Sequence, residues 1–393
     1  MIRPALRASV RLSLHDSIHM IHREDWTRAT ADASPYLQYD YLLALEDVME
    51  GTMDFRYAIY YCAQNLPMGV AYFQVADLID NGSSYRDAVR RLGKGIGGRV
   101  ISELEVRCLV SGNVFHCGDH GSHFSKDAPE AFRLTAVKDT MRMLVKGDHL
   151  APKASVQLFK DHGAEGDERW APLTEAKYHP MATDVNMVMD LDPGWKHLDD
   201  YQRALTSKAR TRIRAVLNRS STLVVRDMSA KEIRQATPVL QALFDQVLDR
   251  APFIFGRLKV DAYARWKEQL GDRLIFRSFS LNSKLVGFHS AFVVGDALDV
   301  QYVGIDYDHN QEQGTYQRML VDLLEVALER KLRRINFGRS AEQAKSNIGA
   351  LPVAMRFHVK HRSSVANKLI GPFLRSVKPG AFEQRSPFKK VQA

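Results

Sequence analysis

Hydrophobic and polar positions alternate along the chain with two periods, one helical and one of strands. Residues 34–50, SPYLQYDYLLALEDVME, follow a Ser-Pro cap signal and place apolar side chains at helical spacing, which predicts a helix. Two β-rich runs within 55–78 flank the polar turn Gln64-Asn65-Leu66-Pro67 and predict a hairpin. A strand is expected to open the chain at 8–14, and residues 99–118 form a long β-prone run. Residues 127–147 predict a helix, with Pro129 near its first turn and Gly147 at its end, and 153–162 predict the next strand.

The second half repeats this order. Residues 238–251 and 260–271 predict helices, and 274–295 a hairpin turning at Leu281-Asn282-Ser283-Lys284. A strand at 297–308, an amphipathic helix at 313–331 and a strand at 333–339 follow. In each half the second hairpin strand begins with a hydrophobic residue and Gly, PMGVAYF at 67–73 and KLVGFHSAF at 284–292. A β run, a polar loop, a long helix and a strand come after each. The period is far too long for a solenoid. It predicts two copies of a mixed α/β domain, 1–165 and 221–393, joined by a linking segment at 166–220 that carries a basic helix. The first copy has an insertion at about 79–100.

Composition narrows the class. Of 393 residues, 45% are apolar and 26% charged, which excludes a disordered chain, a collagen-like rod and a disulfide scaffold. The apolar runs at 55–63 and 285–295 fall far short of the ~20 residues of a membrane span. Cys62, Cys108 and Cys117 have no CxxC spacing and suit free thiols in a reducing compartment. The basic N-terminus lacks the apolar core of a secretory signal, so a cytoplasmic location is expected. Net charge is +9, which favours anionic partners such as phosphorylated cofactors, nucleic acid or anionic lipid.

Three stretches carry a resemblance: KLVGFHSAFV, LDVQYVGIDYDHNQEQGTYQRML and INFGRSAEQAKSNIGALPVAMRFHVKHR. Through them residues 270–361 resemble the tandem, FemAB-like branch of the GNAT superfamily of acyltransferases. SKARTRIRAVLNRS at 207–220 is similar to the basic helix between the halves of such proteins, while the N-terminal half is similar mainly in element order and in VAYFQ. The resemblance implies two GNAT-like domains, each a mixed central sheet flanked by helices. It implies transfer of an acyl group from acyl-CoA, as co-substrate rather than permanently bound cofactor, to a small amine. Val303, Gly304 and Ile305 would form the splayed strand that pairs with pantetheine. Gly314, Thr315 and Tyr316 would open the helix that faces the pyrophosphate, where unpaired N–H groups and the helix dipole suit an anion. The loop departs from the usual Gln/Arg-x-x-Gly-x-Gly/Ala: it reads Gln311-Glu312-Gln313-Gly314-Thr315-Tyr316. The donor therefore stays open between acyl-CoA, an acyl carrier protein and a charged tRNA. Two other readings stand beside the acyltransferase: an aminoacyl-tRNA-dependent peptidyl transferase, and a non-catalytic binder of anionic ligands.

Acyl transfer to an amine needs a proton acceptor, an oxyanion donor and an acid for the thiolate. Asp306 is expected to take the amine proton and Tyr307 to protonate the thiolate, the alternative being a loop cap and a packed ring. Arg339 is expected to clamp a phosphate or carboxylate, and Lys345 to pair with an acceptor carboxylate or the donor phosphates, the alternative being a solvated loop. His116, Cys117, Asp119, His120 and His123 crowd one segment. Their spacing matches no structural zinc class, so no metal is expected, although His120 could serve as a base in the first half. Arg203, Lys208, Arg210, Arg212, Arg214 and Arg219 are placed on one basic helix over 201–220, facing anions or water. The basic tail at 360–390, with Leu369, Ile370, Phe373 and Leu374, is read as one short helix that then frays, contact with a membrane surface being the alternative. GKGIGG at 93–98 lacks a Walker pattern and reads as a flexible insertion.

Overall fold

A computed structural model describes residues 10–80, 106–147, 154–163, 168–251, 253–377 and 380–389. In chain order the strands are β1 (Arg11–His15), β2 (Asp54–Tyr61), β3 (Pro67–Asp80), β4 (Val106–Ser111), β5 (Ser122–Phe124), β6 (Val156–His162), β7 (His179–Ala182) and β8 (Asn186–Asp190). They continue as β9 (Val224–Asp227), β10 (Phe253–Phe255), β11 (Leu274–Leu281), β12 (Lys284–Val294), β13 (Ala297–Ile305), β14 (Arg334–Asn336), β15 (Leu351–Val353) and β16 (Arg356–His361).

These strands form two sheets with one strand order. The first runs β1-β2-β3-β4-β6-β16-β7, with β5 and β10 also pairing β3, and the second runs β9-β11-β12-β13-β14-β8-β15. At matching places, β4 with β6 and β13 with β14, the pairing is parallel. The expected hairpins are present. Asn65 is left-handed at the β2–β3 turn, and Asn282 and Ser283 are consecutively left-handed at the β11–β12 turn, as a tight hairpin demands. The fold is the mixed α/β arrangement expected.

The halves exchange strands. β7 pairs with β16 in the first sheet, and the chain then enters β8 in the second; β15 ends in the second sheet and leads into β16 in the first. The compact units are therefore discontinuous. One comprises Met1–Thr183, Ala251–Leu258 and Met355–Lys378; the other comprises Asp184–Arg250, Lys259–Ala354 and Pro379–Ala393. Residues from 184 to 220, expected as a linking segment, supply core of the second unit through Met187, Met189, Tyr201, Leu205 and Ile213. Within the first unit, Phe73, Leu109 and Phe159 pack with Phe132 and Met141 of the helix Glu130–Lys146. Val110, Leu158, Phe357 and Val359 pack with Leu374 of the helix Ser364–Ser376.

Several helices differ from expectation in extent. The helix expected at 238 begins at Ala230, behind a capping box of Ser229 and Glu232, and carries Pro238 in its interior. The basic segment is two helices, Leu198–Ala204 and Ser207–Arg219, because Thr206 caps the second by accepting from Ala209 N. The tail does not fray directly after its helix: Phe388 packs on Trp195 and Tyr201, and Lys389 N donates to Ala204 O. The Gly-rich run at 93–98 lies outside the described residues. A chain ending at residue 354 lacks β16, and amide hydrogen exchange in β6 and β7 is then expected to lose protection while β11–β13 keep theirs.

Candidate functional site

In the second unit β13 pairs with β14 over just three residues, Ala297–Asp299 against Arg334–Asn336. β14 stops there, while β13 runs on to Ile305 paired with β12, Phe288 opposite Gly304 and Gly287 opposite Ile305. Among the described residues no strand covers the other edge of β13 from Val300 to Ile305. Along an extended strand alternate N–H and C=O groups point to each edge, so this edge offers backbone donors and acceptors to a ligand. Val303 is half-buried on that stretch. Gly304 serves packing, because a Cβ would overlap the Phe288 ring.

The strand leads into Asp306, which is 7% exposed and caps the helix Tyr307–Gln313. Its carboxylate accepts from Asp308 N (3.1 Å), Lys284 Nζ (3.1 Å) and His309 Nδ1 (3.0 Å). Burial pushes its pKa up, but the hydrogen bonds from Lys284, His309 and the Asp308 N–H outweigh this and hold it below the ordinary value. Tyr307 N donates to Gln246 Oε1, and the Arg250 guanidinium lies 3.7 Å above the Tyr307 ring.

Gly314, at φ +63°, splits the expected helix at 313–331, ending Tyr307–Gln313 and starting Thr315–Glu329. A Cβ on Gly314 would overlap the guanidinium of Arg219, so that cation rests against the start of the second helix. Thr315 is fully buried, and its Oγ1 has no hydrogen-bond partner among the described residues. Tyr316 N donates to Asn310 Oδ1 at 3.0 Å, and burial raises the Tyr316 pKa.

At the other end of the open edge, the loop after β14 carries three left-handed residues, Gly338, Ser340 and Ala341. Two of them are not glycine, which marks stored backbone strain. Gly338 sits beside Val300 O of β13. Arg339 Nε donates to Asp184 O at 3.3 Å. Lys345 is 4% exposed, and its Nζ donates to Gly338 O (3.2 Å) and Arg339 O (2.6 Å). The structure thus brings Arg339 and Lys345 to one end of the edge and Asp306, Tyr307, Gly314, Thr315 and Tyr316 to the other. The Lys345 ammonium is turned into its own loop.

The corresponding place in the first unit is filled. β4 stays paired with β6 to its last residue, Ser111 opposite Phe159. The chain then leaves the sheet over 112–121 and returns as β5 against β3. Lys160 Nζ, nearly fully buried, donates to His116 O and to Asp161, whose Oδ2 also accepts from Gly118 N at 3.0 Å. His116 stacks on Tyr36 and bonds Tyr41 Oη at 2.8 Å; burial, then the nearby His120 and Lys160, push its pKa well down. His120 meets Cys117 O, His123 meets Asp32, and the exposed Asp119 lies 3.7 Å from His162 Nδ1. His162 in turn stacks on Trp170 beside His358, whose pKa burial pushes down to about 4. Among the described residues no group of three or more His, Cys, Asp or Glu side chains could hold a metal ion.

No protein-family model matches this sequence. No curated protein matches it either. Solved structures do. FemX aligns with a TM-score of 0.51 at 9% identity, over 88% of this chain and 96% of its own. A tandem GNAT protein from the clavulanic acid biosynthesis pathway aligns at 0.50 and 9%, over 90% of this chain and 99% of its own. The C-terminal domain of a putative lysylphosphatidylglycerol synthetase from Agrobacterium fabrum aligns at 0.50 and 9%, over 89% and 95%. The chain has the tandem GNAT, FemAB-like fold.

Several residues around the open GNAT edge escape sequence reading. Gln246 and Arg250, from the end of the helix Ala230–Leu248 and just beyond it, carry no motif, and Lys284 and His309 lie within the stretches that carry the resemblance without a sign that they meet Asp306. The Lys160-Asp161-His162 triplet does carry a signal, since three ionisable residues end the apolar run VQLF. Because the Asp306 pKa is lowered on folding, its contribution to stability is full above the ordinary carboxylate value of about 3.9 and is lost as pH falls through the folded value. Asp306→Ala is expected to cost about 1 kcal/mol or more at pH 7 through the lost cap. The two proteins should converge in urea unfolding as the pH drops below that range.

Proposed function

We propose that the chain is an N-acyltransferase whose donor site is the open edge of β13, with acyl-CoA as co-substrate and a small amine as acceptor. The observation that carries this reading is the parting of β13 from β14 after Asp299 and Asn336, which leaves the edge of Val300–Ile305 away from β12 without a strand among the described residues. The amide-rich pantetheine arm of CoA is a chain of backbone-like donors and acceptors and can pair with such an edge. Its phosphates would meet Arg219 and the start of the helix Thr315–Glu329, where positive charge and N–H groups converge.

In this reading the amine nitrogen attacks the thioester carbonyl carbon. The C–N bond forms, the C–S bond breaks, the amine proton passes to solvent and the thiolate leaves with a proton from Tyr307 Oη. N–H groups of the open edge face the developing oxyanion. Asp306 acts as a positioning residue: a carboxylate held ionised by Lys284 and His309 is a poor proton acceptor, but it fixes the turn that presents Tyr307. Lys345 likewise positions Gly338 and Arg339 at the mouth of the edge.

Isothermal titration with acetyl-CoA and a long-chain acyl-CoA is expected to show saturable binding that Gly314→Val abolishes. Turnover of a bound acyl-CoA with an amine should fall at least about tenfold in Tyr307→Phe while donor affinity is kept. Binding of total tRNA with no response to any CoA species would instead assign the aminoacyl-tRNA reading.

A further inference from the structure

The helix Ser364–Ser376 of the first unit is apolar on two opposite sides. Asn367, Gly371 and Leu374 are buried, and Ile370 and Phe373 pack with Leu374 on the cluster that holds Phe357 and Val359. A surface helix that buries one face normally turns a polar face to water. Here Val365 and Leu369 are each 70% exposed, the highest values of any large apolar side chain among the described residues. Pro372, also exposed, continues them along the same side. At helical spacing, positions 365, 369 and 372 fall within about a sixth of the circumference, so they form one narrow ridge.

The ridge has basic flanks. Arg362, just before the cap at Ser363, and Lys368 and Arg375 within the helix are all exposed. Residues 355–378 contain no Asp or Glu. A convex hydrocarbon ridge bordered by cations fits a surface that offers both hydrocarbon and anions. Nucleic acid supplies the charge without the hydrocarbon. A fluid bilayer needs no preformed groove to receive a convex ridge.

We propose that this face seats on an anionic lipid bilayer, with Val365, Leu369 and Pro372 dipping to the acyl boundary and Arg362, Lys368 and Arg375 among the phosphates. Two side chains and a proline are too few to anchor the protein alone, so binding needs both components and is reversible. The inference is independent of the donor site.

The test is co-sedimentation of the full chain with vesicles of phosphatidylcholine alone and of phosphatidylcholine mixed with phosphatidylglycerol. Binding is expected on the mixed vesicles alone, and it should decline as salt rises. The pair Val365→Asp with Leu369→Asp, and separately Lys368→Glu with Arg375→Glu, should each lower the partition coefficient about tenfold or more. All four side chains are exposed, so melting temperature should not change, and this is measured alongside. Failure of the wild type to bind mixed vesicles would overturn the proposal. So would equal binding of wild type and the aspartate pair, or displacement by tRNA that the aspartate pair does not alter, which would make the surface a nucleic-acid contact.

Discussion

Every backbone N–H and C=O that a sheet withdraws from water has to find a partner, and here that obligation is met across the length of the chain. The outer edge of β6 is closed by β16 and the outer edge of β14 by β8, each supplied by the opposite half. An unpaired buried amide or carbonyl costs about as much as a lost hydrogen bond, so a ladder of several such groups cannot stay open. The exchange therefore sets the limits of both units. It also explains why 184–220 belong to the second unit and 355–378 to the first.

The same obligation distinguishes the two halves where their parallel strands end. In the first, the loop at 112–121 is stapled over the strand ends by Lys160 and Asp161, a pair almost wholly removed from water. Such a pair recovers its desolvation cost only with further hydrogen bonds, and His116 O and Gly118 N provide them. In the second, β13 leaves β14 with no described segment in that position, and the adjacent loop is held by Lys345 in a left-handed conformation that few residues adopt unaided. One half has used its crevice for its own chain; the other has kept an edge available.

Much of this was legible in the sequence. The paired Gly-containing strands at 67–73 and 284–292 disclose the repeat, and polar turns that each hold an Asn between β runs disclose both hairpins, because these are local signals. Gly314 was legible near the start of the helix expected at 313–331, though not as the break between two helices that it is. β7, β8, β15 and β16 were not legible as exchanged strands: they are three to six residues long, and their partners lie in the other half of the chain. Lys345 could be placed near the site from its loop, but whether its ammonium faces out or in depends on the carbonyls of 338 and 339, which no pattern encodes.

The exchange also bears on how the molecule is made. During synthesis β6 emerges well before the strand that covers it, which follows only after the whole ladder from β9 to β15 has appeared. Contacts so remote in sequence slow folding and leave intermediates with an unpaired edge. That edge is a template for any extended segment nearby, including β16 of another nascent chain. A domain-swapped dimer joined through β16 would satisfy the same hydrogen bonds.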